Sequence, residues 1–237
     1  MQPELGIVNG TSPSPAKSGA GTGAAAAFGF EKRMVVAETV RATVLFVDLR
    51  GYTGLAERLP PATVANLLEE FFDVLASATE RHGGQIFYMV GDGMMAGFGM
   101  RDPAADGARD ALAAAEAMLK GFSPVVARWH SDLAVETGIG IGLHLGDVAR
   151  CLHGPPERRT HTLVGETVNV AARLCGRARA GEVLFSSTVA ASLQAGKPAG
   201  EATADAIPWI HLPQFALRGR TRPLDIWCMP AARRVRF

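Results

Sequence analysis

One turn signal near the middle of the chain narrows its possible folds more than any other feature. Gly91-Asp92-Gly93 separates two short apolar runs, Gln85–Val90 and Met94–Phe98, and so marks an antiparallel hairpin. Helical patterns lie on either side. Pro60 and Pro61 open a helix whose apolar residues Val64, Leu67, Leu68, Phe71, Val74, Leu75 and Ala78 follow the i, i+3, i+4, i+7 stripe. His82-Gly83-Gly84 ends it. Beyond the hairpin, Asp102 stands as N-cap to an Ala-rich helix over Pro103–Phe122, with the proline at N1. Outside both helices are apolar runs. Ala42–Val47 reads as a strand covered on two faces, and Thr137–Leu145 as a Gly-rich strand. Thr160–Val164, Val183–Phe185 and Pro223–Met229 predict further strands, and Glu166–Arg179 a third helix. Alternating helices and strands around a central hairpin imply an α/β or α+β sandwich, with helices against a mixed sheet.

Composition adds exclusions. The chain of 237 residues is 48% hydrophobic and 20% charged, enough for one sizeable core. Of its first thirty residues, twenty are Gly, Ala, Ser, Thr or Pro, so 1–34 is expected to be a flexible tail or a linker and 35–237 the folded domain. A formal net charge of +1 gives no reason to expect nucleic acid or an anionic membrane as partner. With no signal-peptide pattern and no run of membrane-spanning length, the expected location is the cytoplasm. Three cysteines without a CxxC pair argue against a disulfide framework or a structural zinc site. The six histidines lack HxxxH or HExxH spacing, and neither GxSxG nor a P-loop motif occurs.

Two carboxylates stand out. Asp48 leaves a buried strand, which is costly unless the group is paired, hydrogen-bonded or bound to a metal. Asp92 sits in the hairpin turn. Each has a plain structural reading: Asp48 as cap of a short helix beginning at Gly51-Tyr52-Thr53, and Asp92 as part of an Asp-Gly type I′ turn. If the first strand lies beside the hairpin, the two converge at one sheet edge, where they suit Mg²⁺ or Mn²⁺ shared with phosphate oxygens. Backbone N–H groups of Gly51, Tyr52 and Thr53 would then offer a phosphate site. Asn169 and Arg173, four apart, share one helical face. They read either as a solvated polar face or as groups that orient a ribose and neutralise a phosphoryl charge.

These segments carry a resemblance. Phe46-Val47-Asp48-Leu49-Arg50-Gly51-Tyr52-Thr53 resembles the F-x-D-(I/L)-x-G-(F/Y)-T motif of class III nucleotidyl cyclases. Gly91-Asp92-Gly93 resembles their second metal motif, and Gly165-Glu166-Thr167-Val168-Asn169-Val170-Ala171-Ala172-Arg173-Leu174 their G-(D/E)-x-V-N-x-A-A-R-L helix. Leu217-Arg218-Gly219-Arg220-Thr221-Arg222-Pro223 is similar to their L-K-G-K-x-x-P segment. The likeness implies an α+β fold with a ferredoxin-like βαββαβ palm, and two Mg²⁺ or Mn²⁺ ions held by Asp48, the Leu49 carbonyl and Asp92. It implies a head-to-tail homodimer with composite sites, in which Asn169 places the ribose and Arg173 stabilises the transition state from the partner chain. Arg218 takes the triphosphate-binding place of the family lysine, and Arg158 matches an arginine of the preceding arm.

The base-reading positions depart from the family pattern. Tyr88 replaces the lysine four residues before Asp92, and Thr162 lies seven before Asn169. A phenol donating to adenine N1, with a threonine hydroxyl accepting from N6, favours ATP. Guanine would leave its N1–H and N2–H donors without an acidic acceptor. Cyclic AMP formation is therefore the expected activity. A guanylyl or mixed-purine cyclase and a catalytically silent nucleotide-binding module are the alternatives. Charge is segregated along the chain: residues 42–110 carry ten acidic and five basic residues, while 150–179 carry six basic and two acidic.

Overall fold

The backbone of β1 (Ala37–Leu49) runs through the middle of an eight-stranded sheet and organises everything around it. The computed structural model describes residues 37–102, 105–195, 209–216 and 223–230, so the expected tail at 1–34 lies outside the described residues. After β1 come α1 (Tyr52–Arg58), α2 (Pro61–Arg81), the hairpin β2 (Gln85–Val90) and β3 (Gly93–Phe98), α3 (Ala108–Leu133) and β4 (Ile139–His153). A short 3₁₀ turn at Pro156–Arg158 leads to β5 (Thr160–Val164), α4 (Glu166–Cys175), β6 (Val183–Ser186), α5 (Ser187–Ala195), β7 (Ile210–Phe215) and β8 (Leu224–Met229).

The strand order is β2-β3-β1-β4-β6-β8-β7, with β5 paired to the far half of β4. The order β2-β3-β1-β4 is antiparallel at every step. With α2 and α3 as its crossovers it is the ferredoxin-like βαββαβ unit, so the fold is α+β as expected. β6 extends it by a parallel pairing with β4.

The continuous apolar run of β1 follows from burial on both faces. Leu45, Val47 and Leu49 enter a core with Phe71 and Leu75 of α2 and Met118, Phe122 and Trp129 of α3. Ala42 and Val44 point the other way, into a cluster with Val148, Leu163 and Ala171 of α4. A strand clamped between two layers needs no polar alternation. α4 reaches the sheet by backbone contact. A Cβ on Gly142 of β4 would stand 2.2 Å from the Cys175 nitrogen and 2.4 Å from the Ala171 oxygen, so only glycine lets the helix sit this close.

Several boundaries differ from those read off the sequence. α3 begins at Ala108, not Pro103, and Asp102 is not its cap. The N-cap is Gly107, with φ 70°, and the Ala108 N–H donates to Asp106 Oδ1 at 3.1 Å. The helix then continues through Pro124 to Leu133. The hydrogen bond lost at proline is offset by Trp129, which is buried edge-on against Phe122 and donates Nε1–H to Glu70 at 2.8 Å. α4 ends at Cys175, four residues early, where Gly176 turns the chain. β1 and β4 are longer than expected, and α5 and β7 carried no recognised periodic signal. All three cysteines are free and buried.

Candidate active site

Asp48 is the penultimate residue of β1, opposite Gly93 of β3 and Gly140 of β4. The hairpin turn docks on the same strand end, because the Leu49 N–H donates to the Asp92 carbonyl at 2.9 Å. The Leu49 side chain is buried in the core, so only its backbone can face the turn. The first strand does lie beside the hairpin, and the two carboxylates meet at one end of the sheet. The turn is not the I′ type. Val90 pairs with Gly93, leaving Gly91-Asp92 as the loop, and only Gly91 has positive φ, 63°. That follows the II′ pattern, which wants glycine first and places no demand for aspartate second. Asp48 does not cap α1 either: the N-cap is Gly51, at φ 77°, with no side-chain cap. Neither structural reading accounts for these two acids.

Their electrostatics are coupled. Burial, and then the negative charge of Asp92, hold the Asp48 carboxyl above its ordinary value, while Arg50 pulls it back down. Asp48 Oδ2 accepts from Arg50 Nη1 at 2.5 Å. Oδ1 faces the other side, where a Cβ on Gly93 would stand 3.7 Å away. Between the acids opens a cleft of about 310 Å³, lined among others by Phe46, Asp48, Tyr88, Asp92, Ala172 and Gly176.

The donor set fits a hard divalent cation. Burial first and the neighbouring Asp92 charge second make the ionised Asp48 carboxyl costly, and a cation shared by the two acids would offset both. Among the described residues no group of three or more His, Cys, Asp or Glu side chains could enclose a metal. Two carboxylates would supply part of a coordination shell, a donor set that suits Mg²⁺ or Mn²⁺ sharing phosphate oxygens. Asp48, Asp92 and the Leu49 carbonyl would hold it.

The other expected residues divide. Tyr88, opposite Met95 on β2 and 46% exposed, lines the cleft. Thr162 is paired with Cys151 on β5, partly buried and not among the lining residues. Asn169 and Arg173 share a helical face with Ala172 and Gly176, which do line the cleft, but their own side chains do not. Gly51 borders a separate pocket of about 120 Å³ beside Arg58 and Glu136; Tyr52 and Thr53 line neither. Arg158 is exposed on the 3₁₀ turn of the β4–β5 arm. Arg218 lies outside the described residues. The sequence assigned no role to Arg50, whose guanidinium does not line the cleft but binds Asp48 on one side and the Cys175 carbonyl on the other. Its position inside a motif was visible, but its partners are distant in sequence and left no local signal.

A ferredoxin-like sheet presenting two carboxylates at the end of its central strands is a palm-type domain. Residues 34–211 match the family model described as the adenylate and guanylate cyclase catalytic domain, and the chain belongs to that family. It is similar to an adenylate cyclase of Anabaena cylindrica, 33% identical over 149 residues, which are 59% of this chain and 28% of that protein. An uncharacterized protein of Mycobacterium tuberculosis is 32% identical over 204 residues, covering 85% of this chain and 35% of its own length. The chain thus spans about a third of the curated relatives it matches. Among solved structures, the adenylyl cyclase CyaB of P. aeruginosa superposes with a TM-score of 0.73 at 28% identity, over 84% of this chain and 97% of that one. The guanylyl cyclase Cya2 does so with a TM-score of 0.69 at 26% identity, over 82% and 94%.

Proposed function

We propose that residues 35–237 are a nucleotidyl cyclase catalytic domain that converts ATP to 3′,5′-cyclic AMP and pyrophosphate at a homodimer interface. The observation that carries this reading is the convergence of Asp48 and Asp92 across a cleft that also holds Tyr88. Two Mg²⁺ or Mn²⁺ ions, when bound, would supply an activated ribose 3′-hydroxyl and charge neutralisation on the phosphates. Asp48, Asp92 and the Leu49 carbonyl would hold them. Tyr88 and Thr162 form the base-reading pair, the phenol donating to adenine N1 and the hydroxyl accepting from the N6 amino group, although Thr162 does not line the cleft of its own chain and would have to reach the base as the site is completed. The N–H groups of Gly51, Tyr52 and Thr53, together with Arg158 and Arg218, hold phosphate oxygens.

Asn169 and Arg173 complete the site from a second chain. Within one chain α4 borders the cleft through Ala172 and Cys175 but not through these two side chains, so a second chain would bring them to it. Asn169 orients the ribose, and Arg173 meets the charge that develops on the α-phosphate. Large apolar side chains exposed on β2 and β5, Met89, Val90 and Val164, are suited to burial between chains.

The test is direct. Purified chain with Mn²⁺ and either ATP or GTP should form cyclic AMP faster than cyclic GMP. Faster cyclic GMP formation would overturn the base assignment alone. No product from either, with nucleotide still bound, would overturn the enzyme reading in favour of a silent binding module.

A further inference from the structure

We infer that Arg50 is a positioning residue, a strut that fixes the Asp48 carboxylate and ties the cleft end of β1 to the C-terminal turn of α4. The inference rests on the cyclase reading for its kinetic consequence but not for its geometry. The backbone of Arg50 is pinned on both sides, its N–H donating to the Gly138 carbonyl at 2.8 Å and its own carbonyl accepting from Thr137 Oγ1 at 2.7 Å. The side chain turns back beneath the strand. Nη1 donates to Asp48 Oδ2 at 2.5 Å, and Nη2 donates to the Cys175 carbonyl at 2.6 Å. One planar fork therefore spans two acceptors that are 127 residues apart in sequence.

The space for it is built into β4. A Cβ on Gly140 would stand 2.3 Å from Arg50 Nη2 and 2.5 Å from Nε. Only a bare backbone there lets the guanidinium pass between sheet and helix. It is inserted deeply enough that Nε is buried with no hydrogen-bond partner among the described residues, a cost that the two ends of the fork must offset. The Cys175 carbonyl belongs to the last turn of α4, where the helix dipole presents negative charge to a cation.

Two consequences follow. With Oδ2 committed to Arg50, Asp48 presents Oδ1 toward Gly93 and the Asp92 turn, the direction from which a cation is shared. The helix that carries Asn169 and Arg173 is also tied to the strand that carries Asp48. A shift of α4, such as contact with a second chain would impose, is thereby transmitted to the metal-binding carboxylate.

Lysine separates this role from simple charge balance, because it keeps the cation but loses the planar fork. Arg50→Ala and Arg50→Lys are compared with the unaltered full chain for thermal unfolding, for Mn²⁺ binding alone by loss of the free-ion EPR signal, and for turnover. Both variants should bind Mn²⁺ several-fold more weakly. Both should lose about tenfold or more in kcat, with nucleotide KM changed by less than about threefold, as expected when a reacting group is displaced rather than a substrate contact removed. Gly140→Ala, whose Cβ crowds the guanidinium and also meets the Ala178 carbonyl at 2.8 Å, should give the same losses of Mn²⁺ binding and kcat with an added loss of stability, and adding Arg50→Lys to it should cost no further Mn²⁺ binding or kcat. Restoration of Mn²⁺ binding and kcat by lysine would overturn the inference, as would additive losses in the double variant. A lowered unfolding temperature with unaltered Mn²⁺ binding and kcat would overturn it too. If Arg50→Lys fails to fold, Arg50→Gln, which also lacks the fork, decides the question by the same readouts. Absence of turnover in the unaltered chain would defeat the cyclase reading, while the Mn²⁺ measurements would still judge the strut.

Discussion

Asp48 concentrates the chemistry because it sits where a two-faced buried strand gives way to a turn. Its carboxyl is held above the ordinary value, first by burial and then by Asp92. In the protein without metal, Asp48 should therefore titrate above 3.8 by carboxyl-resolved NMR, and Asp92→Asn should lower that midpoint. The sign for stability follows. A carboxyl whose folded value is raised binds its proton more tightly in the folded state, so its contribution is present in acid and is lost as pH rises through the raised value. Unfolding midpoints should thus favour Asp92→Asn over the unaltered chain at neutral pH and converge below pH 3.8. Asp48→Asn or Asp92→Asn should each lower turnover by at least about a hundredfold while leaving the fold intact, measured by cyclic nucleotide formation and circular dichroism. Cys175 offers a control on the geometry. Burial pushes its thiol up to about 12 despite Arg50 nearby, and its Sγ–H donates to the Gly140 carbonyl at 3.3 Å. At pH 8 it should resist iodoacetamide until the chain unfolds, as peptide mapping of the alkylated protein would read.

Among the elements, β1 and α4 matter most, and both are held by contacts that a local reading of the sequence reports unevenly. The apolar runs of β1 and α2 announced themselves through composition and periodicity. The closeness of α4 to the sheet did not, because it depends on Gly142 of β4 facing the α4 backbone. Gly142→Ala would force backbone against Cβ at 2.2 Å and should destabilise the domain by about 1–3 kcal/mol or more, readable as a lowered urea midpoint. Phe71→Ala, which empties a fully buried site between α2 and α3, should cost about 3–5 kcal/mol in the same assay. The α3 boundary shows why caps mislead. Asp102-Pro103 satisfies the local rules for a helix start, yet the helix begins where Asp106 and Gly107 meet the sheet, and Thr43 of β1 donates its hydroxyl to the Asp106 carbonyl at 2.8 Å.

At the scale of the whole molecule, the acidic and basic segments belong to different elements: the acidic segment runs from β1 through α2 and the hairpin to the start of α3, while α4 and the β4–β5 arm carry arginines. A composite site would set one against the other across two chains. Mixing Asp48→Ala chains with Arg173→Ala chains should then restore up to about a quarter of the activity, as for random pairing at equal amounts with one intact site in the mixed dimer. Lack of rescue, with mixed dimers demonstrated, would count against shared sites. The sequence by itself determined the order of elements as far as β6, the central hairpin, the family and the pair Asp48 and Asp92, since periodicity, turn chemistry and motif spacing are written by near neighbours. Only the tertiary structure decided that α4 packs closely over Gly142 of β4, that Tyr88 lines the cleft while Asn169 and Arg173 do not, and that Arg50 bridges Asp48 to Cys175. Those facts depend on residues far apart in the chain meeting at fixed distances, and a contact of that kind leaves no periodic or compositional trace in the segments that make it.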